Sequence, residues 1–338
     1  MARTAVQGEV DNMDKKKLKI ASLFSGCGGM DLGAIGGFKF NGKTYARNNV
    51  EIAYATDFDK RVAAIYDLNF GHGADVRDIA NLQPSEIPAI DIILGGFPCQ
   101  SFSVVAQNPK RLGYKDAKGK LFFEMKRIIQ QKQPKAFVAE NVKGIISANH
   151  GEALPLIISE FEAAGYFVKY QVLNAAHFGV PQKRERVFIV GFKSRVAYEN
   201  FEFPVATTQD QPVPIRNFLI SDRKELENYF FSEKAVEGLR KTKNSKSMNK
   251  GRIQSLDGPS NTLGAHLAKV SLNSTDPVLW DGDRYRMFTP REVARLQSFP
   301  EKFKLVQAKS HNYLALGNAV PPVLMWHVMR QTLAALEA

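Results

Sequence analysis

Only two cysteines, Cys27 and Cys99, occur in the 338 residues, and their settings differ. Cys99 lies in Gly95-Gly96-Phe97-Pro98-Cys99-Gln100-Ser101-Phe102-Ser103. Pro98 fixes the chain before it, and Gln100 and Ser101 give the polarity of a loop. A free cysteine is usually a small buried hydrophobe, but this frame marks Cys99 as a candidate nucleophile. A thiol of pKa about 8.5 is only a few per cent thiolate at neutral pH, so it needs cations or a base nearby. Two segments could supply them. Glu140-Asn141-Val142 ends the apolar run Ala136–Ala139, where an unpaired carboxylate is costly; Glu140 reads as a chemical group or one half of a structural salt bridge. In Gln182-Lys183-Arg184-Glu185-Arg186, alternation along an extended chain points Arg184 and Arg186 the same way. They read as partners for a carboxylate or as a solvated basic edge. Cys27 has no comparable frame and reads as structural.

A second constellation precedes these. Leu23-Phe24-Ser25-Gly26-Cys27-Gly28-Gly29-Met30-Asp31 follows a strand-like run and opens a helix. Glycines there let a ligand approach a helix N-terminus closely. Asp57 and Asp75, each ending a short segment, could accept from ribose hydroxyls and from an adenine amino group. Such a turn with distant acids suits dehydrogenases, flavoproteins and methyltransferases alike, or is merely a tight turn. The spacing is not GxGxxG, which favours a nucleoside such as S-adenosylmethionine over a dinucleotide.

Elements must hold these groups. Strand-like runs at Lys19–Phe24, Glu51–Thr56, Asp91–Leu94 and Ala136–Ala139 alternate with helical patterns at Asp59–Leu68, Leu121–Gln131 and Glu152–Ala164. That alternation predicts an α/β fold, a doubly wound, mostly parallel sheet whose strand carboxyl ends carry the candidate groups. Runs at Phe167–Leu173 and Val187–Phe192 extend it. Residues 193–285 are polar and turn-rich. Thr289-Pro290-Arg291-Glu292 then predicts a capped helix to about Ser298, and a last helix covers roughly Pro322–Leu336.

Composition narrows the class. Apolar residues are 44% and charged residues 24%, which excludes a disordered tail, a collagen or a coiled coil. Two cysteines exclude a disulfide framework and a multi-thiolate zinc site. No apolar run is long enough for a membrane span, and the first residues lack the apolar core of a secretory signal, so a cytosolic protein is expected. The net charge of +12 is concentrated. Pro109–Lys135 holds nine basic residues against two acidic ones, and Lys234–Ser255 seven against one. Each could be a solvated face; together they fit a polyanion gripped from two sides. If about 6–10 phosphates are neutralised, affinity falls some 10³–10⁵-fold between about 50 and 200 mM salt.

The assembled motifs closely resemble the DNA (cytosine-5)-methyltransferase family. They are LFSGCGGMDLG (Leu23–Gly33), GFPCQSFS (Gly96–Ser103), LFFEMKRII (Leu121–Ile129), FVAENVKGI (Phe137–Ile145), FGVPQKRERVFIVG (Phe178–Gly191), RMFTPREVARLQSFP (Arg286–Pro300) and GNAVPP (Gly317–Pro322), in family order. The resemblance implies methyl transfer from S-adenosylmethionine, leaving S-adenosylhomocysteine, to carbon 5 of a flipped-out cytosine in double-stranded DNA. It implies Cys99 as the nucleophile, Glu140 and Arg186 holding the base, and Arg184 supporting them. Phe24, Gly26, Gly28, Gly29, Asp57, Phe58, Asp75, Val76, Pro98, Leu121, Asn318 and Ala319 would line the cofactor pocket, with no metal required. Residues 18–192 with 301–338 would form the catalytic domain and 193–300 a smaller target-recognition domain. A prokaryotic restriction-modification type is implied: a monomer acting on nucleoid DNA in the cytoplasm, its cognate restriction endonuclease acting separately. Basic residues after Cys99 are expected to close over the extruded nucleotide. Transfer-RNA relatives on the same frame carry a further cysteine in a Cys-Phe-Thr tripeptide; no cysteine follows Cys99, which disfavours that reading. Two departures stand out. Asp57 occupies the family's Glu position, one methylene shorter, which suggests a water in the ribose contact. Phe38–Asn49 is insertion-like and reads as a surface loop near the cofactor.

Overall fold

The computed structural model describes residues 16–98, 120–240, 252–269 and 276–338. Cys99 lies outside the described residues, as do residues 100–119. Of the basic stretch Pro109–Lys135 that was expected to close over the base, the part from Lys120 is described and is mostly a helix over Lys120–Lys132, packed on the sheet through Phe122, Met125, Ile128 and Ile129.

Six strands form one sheet in the order β4-β1-β5-β6-β8-β7. They are β1 (Leu18–Leu23), β4 (Val50–Thr56), β5 (Ile92–Gly95), β6 (Ala136–Val142), β7 (Phe167–Asn174) and β8 (Glu185–Phe192); β2 (Phe38–Phe40) and β3 (Lys43–Tyr45) make a separate hairpin. The β4-β1-β5-β6 neighbours are all parallel, while β8 runs antiparallel to both β6 and β7. The sheet is thus mostly parallel, as the strand–helix alternation predicts. Both faces are covered, and the strands divide their side chains between two apolar clusters by the period of two. Ile92, Leu94, Ala136, Val138, Phe188 and Val190 go to one; Ala21, Ile93, Phe137, Ala139, Val187 and Ile189 go to the other. The first face meets α1 (Gly29–Ile35) and α2 (Lys60–Asn69); the second meets α3 (Lys120–Lys132) and α4 (Ala153–Ala163).

The chain returns through α5 (Pro290–Leu296), α6 (Lys309–Asn318) and α7 (Pro322–Glu337). The expected cap at Thr289 is present: its hydroxyl accepts from the Glu292 N–H, and the Glu292 carboxylate accepts from the Thr289 N–H. The same carboxylate takes a buried, bidentate pair of bonds from Arg286, both 2.8 Å, so one side chain caps the helix and neutralises a cation. Helix α5 ends two residues before the predicted Ser298, which takes a positive φ of 63°. Helix α6 was not anticipated, because its polar first turn hides the pattern.

Phe38–Asn49 corrects the expectation of a surface loop. Asn41-Gly42 is the turn of the β2–β3 hairpin, and Phe38, Phe40 and Tyr45 are buried. Tyr45 meets the Trp326 ring of α7 edge-on at 5.3 Å, and Phe40 stacks on Phe218 at 5.4 Å. Within 193–300, short helical turns, the ribbon of β9 (Leu279–Trp280) and β10 (Tyr285–Arg286), and the chain beside them contribute Ile215, Phe218, Leu263, Leu267, Val278, Leu279 and Phe288 to the first cluster. Among the described residues no helix is long and apolar enough to cross a membrane.

Candidate active site

Register places the candidate groups on one edge. Leu23 of β1 stands beside Thr56 of β4 and Gly95 of β5, and Gly95 stands beside Ala139 of β6. The next residues, Phe24, Asp57, Gly96 and Glu140, therefore emerge side by side at the strand carboxyl ends. A parallel bridge from Thr56 brings Asp75 to the same row. Glu140 lies inside β6, whose strand runs three residues beyond the predicted Ala139. The reason is the antiparallel partner β8, which pairs with it as far as Val142.

Residues 140 and 186 share a sheet face, and the Arg186 Nε lies 3.0 Å from the Glu140 Oε1, with both side chains about nine-tenths buried (11% and 10% exposed). Burial pushes the Glu140 carboxyl upward; the charges of Arg186 and Arg184 pull it back. A carboxyl so balanced can exchange a proton with a bound base. A Cβ added at Gly96 would come within 3.2 Å of the Glu140 Oε2, so the chain leading to Cys99 passes directly over this carboxylate. Asn141 was not assigned a role from the sequence. It is buried and donates from Nδ2 to the Phe97 carbonyl at 2.8 Å, anchoring the chain two residues before Cys99. Its place beside Glu140 was the only sequence signal. Arg184 is 1% exposed and sits behind the pair, donating to the Leu263 and Gly317 carbonyls. Pro98 is exposed at the end of a described stretch.

The glycine turn is built from the other side of the row. Asp57 accepts from the Gly26 and Asp59 N–H groups, both at 2.9 Å. The short side chain is thus turned back onto the turn. Gly28 takes φ +85°, and a Cβ there would strike the Phe70 ring at 2.2 Å. Beside Gly26 the space is open: an added Cβ would have no neighbour within 4 Å. Phe24 also takes a left-handed φ of 56°, a strain of the kind that collects at ligand sites. Asp75 is held near 2 chiefly by Arg77, and it also accepts from the Tyr54 hydroxyl at 2.8 Å. Phe58 is 69% exposed and Val76 39% exposed. Asn318 is exposed, and Gly29, whose added Cβ would meet the Val320 carbonyl at 2.3 Å, ties the turn to that chain end. Ala319 and Leu121 are half-buried. Open backbone, two ionisable acids and bare apolar side chains in one row fit an adenosine-bearing ligand. Cys27 is 1% exposed, and burial pushes its thiol up to about 12, so it is inert packing.

An open α/β sheet with a glycine turn and a buried acid–guanidinium pair at its carboxyl edge defines a nucleoside-cofactor enzyme of the Rossmann-like class. The family model of the C-5 cytosine-specific DNA methylases matches residues 18–334. The Type II methyltransferase M.FnuDI of Fusobacterium nucleatum is 34% identical over 93% of this chain and 94% of its own. M.Bsp6I of Bacillus sp. (strain RFL6) is 36% identical over 90% and 94%. In fold, the Entamoeba histolytica methyltransferase EhMeth superposes with a TM-score of 0.75 at 17% identity, covering 96% of this chain and 100% of that one. The S. pombe Dnmt2 methyltransferase gives 0.69 at 21%, covering 95% and 98%. The chain belongs to the C-5 cytosine-specific DNA methylase family. It is a DNA (cytosine-5)-methyltransferase of the restriction-modification type and uses S-adenosylmethionine.

Proposed function

We propose that Cys99 carries the reaction on a cytosine rotated out of a specific duplex site, with Glu140 and Arg186 as the groups that bind and polarise it. The observation that supports this most is the buried Glu140–Arg186 pair beneath the chain leading to Cys99. The Cys99 thiolate adds to carbon 6, and a proton passes from Glu140 to ring nitrogen 3. Carbon 5 thereby gains the electron pair of an enamine. Arg186 faces the carbonyl oxygen, where negative charge grows during addition. When bound against the glycine turn and Phe58, S-adenosylmethionine supplies an electrophilic methyl group. Once carbon 5 carries the methyl group, a water takes the carbon-5 proton, Cys99 leaves as the thiolate, and the proton on ring nitrogen 3 returns to Glu140, which restores the ring. A duplex buries carbon 6, so eversion of the base is required, at a cost of a few kcal/mol.

Residues 193–300 act as the target-recognition domain, with 18–192 and 301–338 as the catalytic one. The enzyme acts as a monomer on nucleoid DNA in the cytoplasm, and a separate endonuclease reads the same site. Bisulfite sequencing of DNA treated with the purified enzyme is expected to show one methylated sequence context, lost in Cys99→Ala. Methylation surviving in Cys99→Ala removes the assigned nucleophile. A 5-fluorocytosine duplex is expected to become irreversibly attached to the wild-type chain.

A further inference from the structure

Arg184 is a buried cation whose hydrogen bonds go to main-chain carbonyls far away in sequence. Nη1 donates to Leu263 at 3.2 Å and Nη2 to Gly317 at 2.8 Å, across 79 and 133 residues. Its Nε has no hydrogen-bond partner among the described residues. Burying a guanidinium on two carbonyls is expensive, and an apolar side chain would fill the space at lower cost.

The two carbonyls belong to different parts of the site. Gly317 precedes Asn318 and Ala319 on the cofactor side of the edge. Leu263 lies in the 252–269 stretch, which we read as part of the target-recognition domain. Neighbouring residues grip the same turn: the Thr262 hydroxyl donates to the Lys183 carbonyl at 2.7 Å, and the Leu263 N–H donates to the Gln182 Oε1 at 3.2 Å. Gly317 is pressed against this segment, since a Cβ there would lie 2.2 Å from the Ala265 nitrogen. That packing resists approach but not separation. The Arg184 bonds are directional and resist both.

We propose that Arg184 is a positioning residue that couples the cofactor-side end of α6 to the target loop at 262–269, so that filling the cofactor site orders the loop. This rests on the reading of 193–300 as the target-recognition domain. The planar fork suits the task, because two separate nitrogens held in one plane each take a carbonyl, whereas a lysine offers a single rotatable nitrogen. Coupling of this kind is a free energy shared by two sites through one element with which both are in contact.

The test is hydrogen exchange of the full-length protein with S-adenosylhomocysteine alone, without DNA. In the wild type, exchange in peptides covering 262–269 is expected to slow at least threefold on saturation. In Arg184→Met that slowing is expected to vanish while calorimetry still detects cofactor binding. If the Met variant does not fold, Arg184→Lys carries the same expectation, because it keeps the charge and loses the fork. A merely structural Arg184 would loosen 262–269 equally with and without cofactor, leaving the cofactor-dependent difference intact. Unchanged exchange in the wild type on saturation, or full slowing in either folded variant, overturns the coupling. Failure of the wild type to bind S-adenosylhomocysteine at all would instead remove the functional reading on which the coupling rests.

Discussion

Two buried acids, one in each half of the site, are handled in opposite ways. Asp31 lies beneath the glycine turn and is 0% exposed; its Oδ1 accepts from the Ser22 hydroxyl at 2.5 Å, and its Oδ2 has no hydrogen-bond partner among the described residues. Hydroxyls surround it, and burial raises it to about 6. Glu140 is comparably buried but faces two guanidiniums. In the proposed reading, the cofactor half supports its ligand on backbone geometry, and its acid is a liability kept under the floor. The target half, in the same reading, keeps its charges where they act on a ring that becomes negative during reaction. Removing one group should accordingly harm binding in the first half and rate in the second.

The largest expected effect is on the target side. Glu140→Gln keeps a hydrogen-bond donor but cannot deliver a proton, so kcat should fall about 10²–10⁴-fold. Calorimetric affinity for S-adenosylhomocysteine should stay within about twofold. A similar loss of cofactor affinity and rate would erase the distinction between the halves.

The converse belongs to Gly28. An alanine there meets both an unfavourable φ and the Phe70 ring, which must move. Stability should fall by about 1–3 kcal/mol in urea titrations. Cofactor KM should rise, while kcat at saturating cofactor holds. In Gly26→Ala the added methyl points to open space, so the stability cost should be smaller, about 1 kcal/mol. If the two variants lose equal stability, the support assigned to Phe70 is absent.

The same asymmetry explains what could be read in advance. The glycine turn is local: strand, turn and helix follow within a dozen residues, and each signal is short-range. The sheet was legible for the same reason, its alternation being written into runs of four to eight residues. Glu140 and Arg186 were visible as types, yet their pairing depends on β8 lying antiparallel to β6, which no local pattern specifies. Asn141 and Arg184 act on carbonyls 44, 79 and 133 residues away, and a carbonyl has no signature in sequence. The β2–β3 hairpin was missed although Asn41-Gly42 marks it, because three-residue strands carry little periodicity. Helix α6 carries little apolar pattern because its first turn, Lys309-Ser310-His311, is polar and largely exposed.

The last expected effect concerns pH. Asp31 has its folded value raised to about 6, above the ordinary 3.8, so the folded state binds a proton more tightly than the unfolded one. Its favourable contribution is complete below about 3.8 and is lost as pH rises through about 6; above that, a bare charge is buried. Asp31→Asn keeps an acceptor for Ser22 and removes the charge. The variant should match the wild type near pH 4 and exceed it by about 1–3 kcal/mol at pH 8, with the gain levelling off above pH 7. His327 works the other way. Packed against Tyr45, Phe178 and Trp326 and near Lys43, it is lowered by burial to about 4, so its contribution is lost as pH falls below the ordinary 6.5. Because both chains contain His327, it cancels in the difference between variant and wild type. A stability difference that stays flat from pH 4 to 8 would mean that Asp31 ionises alike in the folded and unfolded chain, so that its burial beneath the glycine turn does not shift it.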